Sequence, residues 1–430
     1  MDRIPAARGP RTAFTLVEML VSIAVLVLLM TFIAQMMSSV TLSTTLSSKH
    51  IDTDSQARLV FDRMAMDFAG MPQRKDVDFI FAKPLPYPAV AGDQIDPSDK
   101  MFFYSQAPAY FSSSNTELFP AAGTPQSDPK SPIALIGYCI NTGSNNSGAN
   151  VTPTPYCLQR LSKGLTWGGE YPAQNGPGGM TFLTFSGSDQ YMSPVTCTML
   201  SGTFAAVGSP PDYSGTDEDF DTLSNQVFRL EFCFQVKDLS PGSTGTVFSN
   251  CPVAVFTDDL PGNATNNSNT SFSSDSQPNG GPQTDPPTGS LVGSNGAQIH
   301  VGDRWYNSQD GLAFICTGYN YSSAGTPVSA TWAPIGLSDV TAIVVAIAVM
   351  DSNSRKILSA TQLASAASYL PDFDATPNNA SLSGTIPLMA TTWTQALDAQ
   401  PVTFAQKATI PQSAASQIRV YQRFFYLNNN

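Results

Sequence analysis

A stretch of 58 residues near the start of the chain, from Thr12 to Ala69, contains neither glycine nor proline. Because both residue types interrupt helices, so long a run without them indicates one long α-helix. Gly70 and Pro72 follow it and supply a stop signal. A helix over residues 14–69 would be about 84 Å long. We therefore expect its first half to lie in a membrane and its second half to pack on a globular head.

The first half of this helix is apolar enough to cross a membrane. From Met19 to Met37 there are nineteen residues without a charge, which is about the length that a hydrocarbon core requires. Arg3, Arg8 and Arg11 precede the run, and positively charged flanks stay on the cytoplasmic side. We expect a single span with a cytoplasmic amino end and an exported remainder.

Glu18 lies close to the start of this span. An ordinary secretory signal would have a shorter apolar core followed by a small-residue cleavage site. A generic anchor would explain the length of the span but not the acid. A carboxylate at the bilayer centre costs roughly 2.5–3.5 kcal/mol, so an acid inside a span is a candidate functional group. At the membrane interface the cost would be smaller.

The segment AFTLVE at residues 13–18 resembles the prepilin processing motif, in which a small residue, usually Gly, precedes Phe-Thr-Leu-x-Glu. The family comprises type IV pilins and the pseudopilins of type II secretion. The resemblance implies that a prepilin peptidase cuts between Ala13 and Phe14 and methylates the new amino group of Phe14. It also implies that Glu18 pairs with the Phe14 amine of a neighbouring subunit, which would make both charges tolerable in lipid.

Two shorter matches narrow the resemblance. The segment Ala57–Phe68, and the IGYCI strand at 136–140 followed by Leu158–Arg160, are similar to J-type minor pseudopilins and W-type minor pilins. The whole pattern is also similar to the large prepilin-type cassette protein C group of the Verrucomicrobia. A head of about 360 residues would be about 50 Å wide, whereas packed helices lie about 8–10 Å apart. A shaft of such heads would be crowded, so we expect a minor subunit at the tip of a fibre or in a priming complex.

The remainder of the chain is rich in strand signals. Apolar runs predict strands at Val77–Phe81, Met101–Ser105, Ile133–Ile140, Tyr156–Leu161, Val227–Val236, Val253–Thr257 and Ile418–Leu427. Apolar and polar residues alternate in Val227–Val236, which predicts a half-buried antiparallel strand. Val340–Met350 is too short for a membrane span, and its β-branched residues favour a strand. The patterns of Lys356–Tyr369 and Leu388–Ala399 favour helices.

These patterns together predict an α+β fold, in which a long N-terminal transmembrane helix packs on a β-rich, pilin-like head with long loops. The expected segments are a leader at 1–13, a transmembrane helix at 14–40, a helix continuation at 41–70 and an exported head at 71–430. Residues 260–296 are rich in Asn, Ser, Gly, Pro and Thr, which predicts a flexible low-complexity loop. Residues 302–334 resemble a β-hairpin insertion.

Composition limits the chemistry that the chain can perform. The formal charge of −12 repels phosphate backbones, so we expect no nucleic-acid partner. The chain has two histidines, His50 and His300, which restricts histidine-dependent catalysis and zinc sites. The sequence shows no nucleophile motif and no phosphate-binding loop. We expect no enzymatic activity.

The six cysteines include no CxxC pair. In an exported protein they could form up to three disulfides, and buried free thiols are the alternative. Cys139 and Cys157 flank the loop at 144–155, and Cys233 and Cys251 could close a hairpin. A disulfide closing a loop of this size could stabilise the fold by roughly 3 kcal/mol.

An acidic cluster contains Asp217, Glu218, Asp219 and Asp221. Oxygen ligands at alternate positions could hold calcium, which is the one cofactor that the sequence suggests. The cluster lacks the Gly turn and the distant Glu of an EF-hand. A solvated acidic loop explains the same residues.

The sequence favours a structural function. We expect a pilin-like subunit, processed by prepilin peptidase and assembled with other pilin-like subunits through its N-terminal helix. The expected location is the bacterial inner membrane, with the head periplasmic or extracellular. The alternative is a membrane-anchored surface binding module, an adhesin or substrate receptor, displayed by a pilus.

Overall fold

The computed structural model consists of one long helix and a β-rich body. It describes residues 15–75, 77, 79–82, 98–110, 130–141, 156–164, 179–180, 191–192, 220–239, 242–249, 252–253, 271–273, 291, 299, 301, 304–307, 312–373, 389–398 and 401–427. The chain divides into two compact units, Met1–Asp54 and Ser55–Asn430. The boundary between the two units therefore lies inside the long helix.

Helix α1 runs from Leu16 to Ala69, which confirms the long helix expected from the absence of Gly and Pro. Gly70 follows the last helical residue, and its carbonyl accepts a hydrogen bond of 2.8 Å from the amide of Gln106. A Cβ at Gly70 would lie 2.6 Å from Ser105 Oγ and 3.0 Å from Gln106 N. Glycine is therefore required where the helix end meets the body, because no larger residue fits without displacing these atoms.

The first unit contains the membrane candidate. Within the described residues one helical segment, Leu16–Thr41, is long and apolar enough to cross a membrane. It has 26 residues with a mean hydropathy of 2.7, and none of it is buried by the rest of the chain. Its large side chains, including Leu20, Leu26 and Phe32, are all exposed. Length, composition and exposure all suit a lipid-facing span.

The second unit contains two main antiparallel sheets. The six-stranded sheet has the order β12–β1–β2–β5–β6–β9, with β1 at Phe79–Ala82, β2 at Lys100–Ser105, β5 at Ala134–Asn141, β6 at Cys157–Gly164, β9 at Phe220–Ser224 and β12 at Ser271–Ser273. The four-stranded sheet has the order β11–β10–β16–β17, with β10 at Val227–Lys237, β11 at Thr246–Ser249, β16 at Val340–Met350 and β17 at Ile418–Tyr426.

Three smaller sheets complete the described strands. A three-stranded sheet consists of β13 at Arg304–Asn307, β14 at Leu312–Tyr321 and β15 at Pro327–Ile335. Two strand pairs are β3 at Ala109–Tyr110 with β4 at Lys130–Ser131, and β7 at Gly179–Met180 with β8 at Tyr191–Met192. The insertion expected as a hairpin is therefore a three-stranded antiparallel sheet.

The ends of the predicted strands agree with the structure to within three residues. The exception is the strand predicted at Val253–Thr257, of which only Val253 is described, and that residue lies in a bend. The loop predicted at 260–296 lies almost wholly outside the described residues. Within this range the structure describes Leu291 and a short strand at Ser271–Ser273.

Strand β16 is the centre of the four-stranded sheet. It pairs with β10 along one edge and with β17 along the other. Of its eleven residues, all but Thr341 are buried. A strand with two paired edges and both faces covered needs apolar residues at consecutive positions, which explains the continuous apolar run.

Strand β10 differs from the prediction of a half-buried strand. Its residues from Val227 to Phe234 are all buried, including Arg229 and Glu231 on the face expected to be polar and solvated. The carboxylate of Asp372 and the ring of Trp393 lie against Arg229 on that face. The alternation is therefore real, but its polar face is covered by the segment that connects β16 and β17 in the chain.

The tail of α1 packs between the two main sheets. Its buried stripe comprises Ala57, Val60, Phe61, Met64 and Phe68. The ring of Phe68 lies 5.2 Å from that of Phe103 on β2 and 5.2 Å from that of Phe425 on β17. These distances are typical of aromatic pairs in cores, so one side chain of the helix joins both sheets.

Short helices follow β16. They are α2 at Ser352–Lys356, α3 at Ala360–Ser368, α4 at Met389–Asp398, α5 at Pro401–Lys407 and α6 at Gln412–Ala415. The helix expected over Lys356–Tyr369 is interrupted because Ser359 and Gln362 form a capping box that starts α3. The helix expected at Leu388–Ala399 is confirmed as α4.

Candidate functional site

The predicted processing site lies at the edge of the described residues. Ala13 and Phe14 are outside them, and Thr15 and Glu18 are inside. Thr15 is the N-cap of α1, since its carbonyl accepts the first helical hydrogen bond, from Met19 N at 3.3 Å. Glu18 therefore occupies the third position of the first turn, on an exposed surface.

Thr15 and Glu18 form a reciprocal capping box. Glu18 Oε2 accepts hydrogen bonds from the amide and the hydroxyl of Thr15, both at 2.9 Å. The amide of Glu18 in turn donates to Thr15 Oγ1 at 3.3 Å. These bonds satisfy amides that the helix itself leaves unpaired, and they hold the carboxylate at the helix start. Sequence reasoning overlooked this role, although Thr-x-x-Glu ahead of an apolar run is its recognised signal.

The capping box uses one oxygen of the carboxylate. Among the described residues no donor reaches Glu18 Oε1, so this oxygen can accept a further hydrogen bond. The next polar side chain of the span, Ser22, donates to the carbonyl of Glu18 at 2.7 Å and is occupied within its own helix. Glu18 is therefore the group in this turn that can bind a cation.

The structure does not form the disulfide suggested between Cys139 and Cys157. The register of β5 and β6 pairs Cys139 with Gln159 and Asn141 with Cys157, so the two cysteines are diagonal neighbours. Diagonal neighbours in an antiparallel pair lie about 7–8 Å apart, with their Cβ atoms somewhat closer, whereas a disulfide requires Cβ atoms about 3.5–4.5 Å apart. The loop that the two residues flank does not bring them directly opposite each other.

Burial governs the chemistry of Cys157. Its sulfur lies 3.9 Å from the hydroxyl of Thr222 on β9. Burial raises the pKa of the Cys157 thiol, against the smaller opposing effects of Thr222 and Arg355. A thiol with a raised pKa is a poor nucleophile.

The remaining predicted site residues are only partly described. Cys233 is buried on β10, and Cys251 lies outside the described residues, so their pairing stays a prediction. Asp217, Glu218 and Asp219 also lie outside them, and Asp221 is exposed on β9. In the part of the chain that the structure describes, no group of three His, Cys, Asp or Glu residues could hold a metal ion. The calcium site therefore stays a prediction.

Sequence reasoning also overlooked a buried charge cluster, here called the Asp67 cluster, which comprises Asp67, Tyr138 and Arg160. Asp67 is 0% exposed on the tail of α1. Arg160 Nε donates to Asp67 Oδ2 at 2.6 Å, and Arg160 Nη2 donates to Oδ1 at 2.9 Å. The hydroxyl of Tyr138 donates to Oδ2 at 2.5 Å. The guanidinium and the carboxylate thus form a bidentate pair, the strongest geometry available to them.

Neighbouring groups complete this cluster. Tyr138 and Arg160 are register partners on β5 and β6, which places both donors side by side. Burial, followed by the negative charge of Asp67, raises the pKa of Tyr138 well above its usual range, so the phenol stays protonated. Arg63, one turn before Asp67, adds a longer contact of 3.4 Å from Nη2 to Oδ1. Ser105 on β2 donates to the main-chain carbonyl of Asp67 at 2.8 Å.

A second buried charge cluster lies on the covered face of β10. Arg229 is 0% exposed, and its Nη2 donates to Glu231 Oε2 at 2.9 Å and to Asp372 Oδ1. Glu231 Oε1 accepts from the amide of Phe373 at 3.0 Å, and the guanidinium lies 5.6 Å from the ring centroid of Trp393. These contacts fix the chain after α3 on the sheet, which is a structural role.

Comparisons with protein-family models, with curated proteins and with solved structures found no match to this chain.

Proposed function

We propose that this protein is a minor pilin-like structural subunit, a pseudopilin or minor pilin, anchored in the bacterial inner membrane by α1. A prepilin peptidase cuts it between Ala13 and Phe14 and methylates the new Phe14 amine. The mature chain then joins other pilin-like subunits through α1, at the tip or in the priming complex of a type II secretion-like pseudopilus or a type IV pilus-like fibre.

The observation that carries this proposal is the position of Glu18. It lies in the first turn of a 26-residue apolar segment, as the fifth residue counted from Phe14. An acid there is costly in lipid unless it is paired. Cleavage would create a positively charged amine at Phe14, at the same depth in the membrane as the carboxylate of Glu18. A neighbouring subunit would supply this amine.

The capping box supports this pairing chemically. Oε2 of Glu18 is held by Thr15, which orients the carboxylate, while Oε1 can accept from a neighbour's amine. Without this division, one carboxylate oxygen would have to accept hydrogen bonds both from Thr15 and from the neighbour's amine. With the two tasks divided between the oxygens, the carboxylate stays fully hydrogen-bonded in the assembled fibre.

The length of the apolar segment supports a resting state in the membrane. Its 26 residues would extend about 39 Å, compared with about 30 Å for a hydrocarbon core. The surplus lets the first turn, with Glu18, remain near the head groups while the rest of the segment crosses. The acid therefore enters an apolar environment only on assembly, when its partner is present.

The test is co-expression of the full chain with a prepilin peptidase, followed by mass spectrometry of the amino terminus. The expected product begins at Phe14 and carries one methyl group on its amine. A chain beginning at Met1 or Asp2, or one cut after Met37, would contradict the proposal. A Phe14 terminus in a chain that crosslinks to no pilin-like subunit would favour the binding-module alternative.

A further inference from the structure

The tail of α1 faces the second unit mainly through apolar side chains. The buried residues of its stripe repeat at three- and four-residue intervals. Apolar contacts are non-directional, and the ridges of a helix repeat with every turn. A shift of the helix by one turn, about 5.4 Å along its axis, would still bring apolar side chains against the same surface, with Met64 in the place of Phe68. Apolar character alone therefore does not specify the register of this helix.

The Asp67 cluster specifies the register of the helix, which the apolar stripe does not. Its carboxylate accepts three hydrogen bonds of 2.5–2.9 Å from Tyr138 and Arg160, which are fixed on neighbouring strands. Only one axial position and one rotation of α1 present Asp67 to both donors. Any other register leaves Arg160 buried opposite a different residue.

The residues one turn away penalise the shifted registers. Towards the amino end, Met64 and Arg63 lie three and four positions before Asp67. A one-turn slip would place either an apolar side chain or a second cation against the guanidinium of Arg160. An unpaired buried charge and a like-charge pair are both strongly unfavourable. The sequence thus disfavours slipped registers in addition to stabilising the observed one.

We propose that the Asp67 cluster is a register lock, which fixes the axial position and the rotation of the α1 tail on the six-stranded sheet. This property belongs to the second unit alone and does not depend on the function proposed above. In any setting where the helix is pulled along its axis, the lock would transmit the load to β5 and β6 instead of letting the helix slide.

The test uses the full chain in detergent micelles, with spin-labelled non-natural amino acids at Met66 and Tyr426. Both side chains are exposed, at 59% and 73%, and neither belongs to the lock. The test variant replaces the cluster with apolar residues of similar volume, D67L with R160M and Y138F. Such replacements of buried ion pairs are often neutral for stability, so the variant is expected to fold.

The expected result is one narrow inter-spin distance in the parent chain and a second population, displaced by roughly 5 Å, in the apolar variant. A single parental distance in the folded apolar variant would overturn the proposal. Asp67→Asn, which keeps the shape but removes the charge, is the second variant. If the apolar variant does not fold, a broadened distance in Asp67→Asn supports the lock and a parental one overturns it.

The matched control is Asp62→Asn, which removes the exposed pair that Asp62 Oδ1 forms with Arg423 Nη1 at 2.7 Å. The distance in this variant should equal that of the parent. Broadening equal to that of Asp67→Asn would overturn the proposal, because register would then depend on any charge along the helix.

Discussion

The aromatic ring of Phe102 lies over the backbone of Gly137 on the neighbouring strand of the six-stranded sheet. A Cβ at Gly137 would be 2.3 Å from both Cδ1 and Cε1 of that ring. The two residues are register partners on β2 and β5, and Phe102 is 1% exposed. The glycine therefore provides the space that the ring occupies, and the ring covers backbone that would otherwise be poorly packed.

We expect Gly137→Ala to lower the free energy of unfolding by about 1–3 kcal/mol, since the new methyl must displace a buried ring. Chemical denaturation of the full chain in micelles measures this change. The matched control is Gly245→Ala, where the nearest atom to the new Cβ is Ser243 Oγ at 3.8 Å. That substitution should change stability by less than about 1 kcal/mol.

The double variant Gly137→Ala with Phe102→Leu provides an internal check. Because the smaller side chain relieves the clash, the two effects should be non-additive by about 0.5–3 kcal/mol. Strict additivity would show that the ring and the glycine do not interact as the structure indicates.

The two ion pairs of the α1 tail should differ greatly in their contribution to stability. Removing one partner from a buried pair leaves the other charge unpaired, so Asp67→Ala should cost about 3–5 kcal/mol. The pair of Asp62 with Arg423 has side chains 70% and 43% exposed, and Asp62→Ala should cost less than about 1 kcal/mol. Thermal or denaturant unfolding measures both, and equal losses would contradict the assignment.

The raised pKa of Tyr138, caused by burial and then by the charge of Asp67, predicts a loss of stability at alkaline pH. Above pH ~10, Tyr138 ionises in the unfolded chain but keeps its proton in the folded one. The folded state then binds more protons, so stability falls as pH rises, by up to about 1.4 kcal/mol per pH unit.

Tyr138→Phe should remove this component of the pH dependence. The variant loses the hydrogen bond to Asp67 at every pH, at a cost of about 1–3 kcal/mol. The difference in unfolding free energy between parent and variant should be constant from pH 8 to about pH 10 and then narrow. A difference that stays constant to pH 11 would show that Tyr138 titrates alike in both states.

Local patterns in the sequence were sufficient to predict most of the secondary structure. The helix end at Ala69 and the strand at Val340–Met350 both follow from residues adjacent in the chain. Contacts between distant residues were not predictable in this way. Asp67 and Arg160 are 93 positions apart, and Arg229 and Asp372 are 143 apart. No periodicity links such pairs, which is why the polar face of β10 was expected to be solvated.

The amino-terminal site is the opposite case, because its geometry is local. Thr15 and Glu18 are three residues apart, and the capping box between them follows from their spacing and from the apolar run behind them. The resemblance to the prepilin motif predicts a role for the charge of Glu18, whereas the capping box gives the same residue a role in starting the helix. Both roles belong to the same carboxylate, and a substitution can separate them.

Glu18→Gln performs that separation. The amide oxygen of Gln can still accept from the Thr15 amide, so α1 should begin at the same residue and the proposed cleavage after Ala13 should be unaffected. The negative charge is lost, and with it the proposed pairing to a neighbour's Phe14 amine. Since an unpaired charge in lipid costs roughly 2.5–3.5 kcal/mol, crosslinking to pilin-like subunits should fall by at least about tenfold.

The matched control is Ser22→Ala, one turn further on, where the hydroxyl is bonded to its own helix and assembly should be unchanged. Parental crosslinking in Glu18→Gln, with the amino terminus confirmed as Phe14 by mass spectrometry, would rule out charge pairing as the basis of assembly.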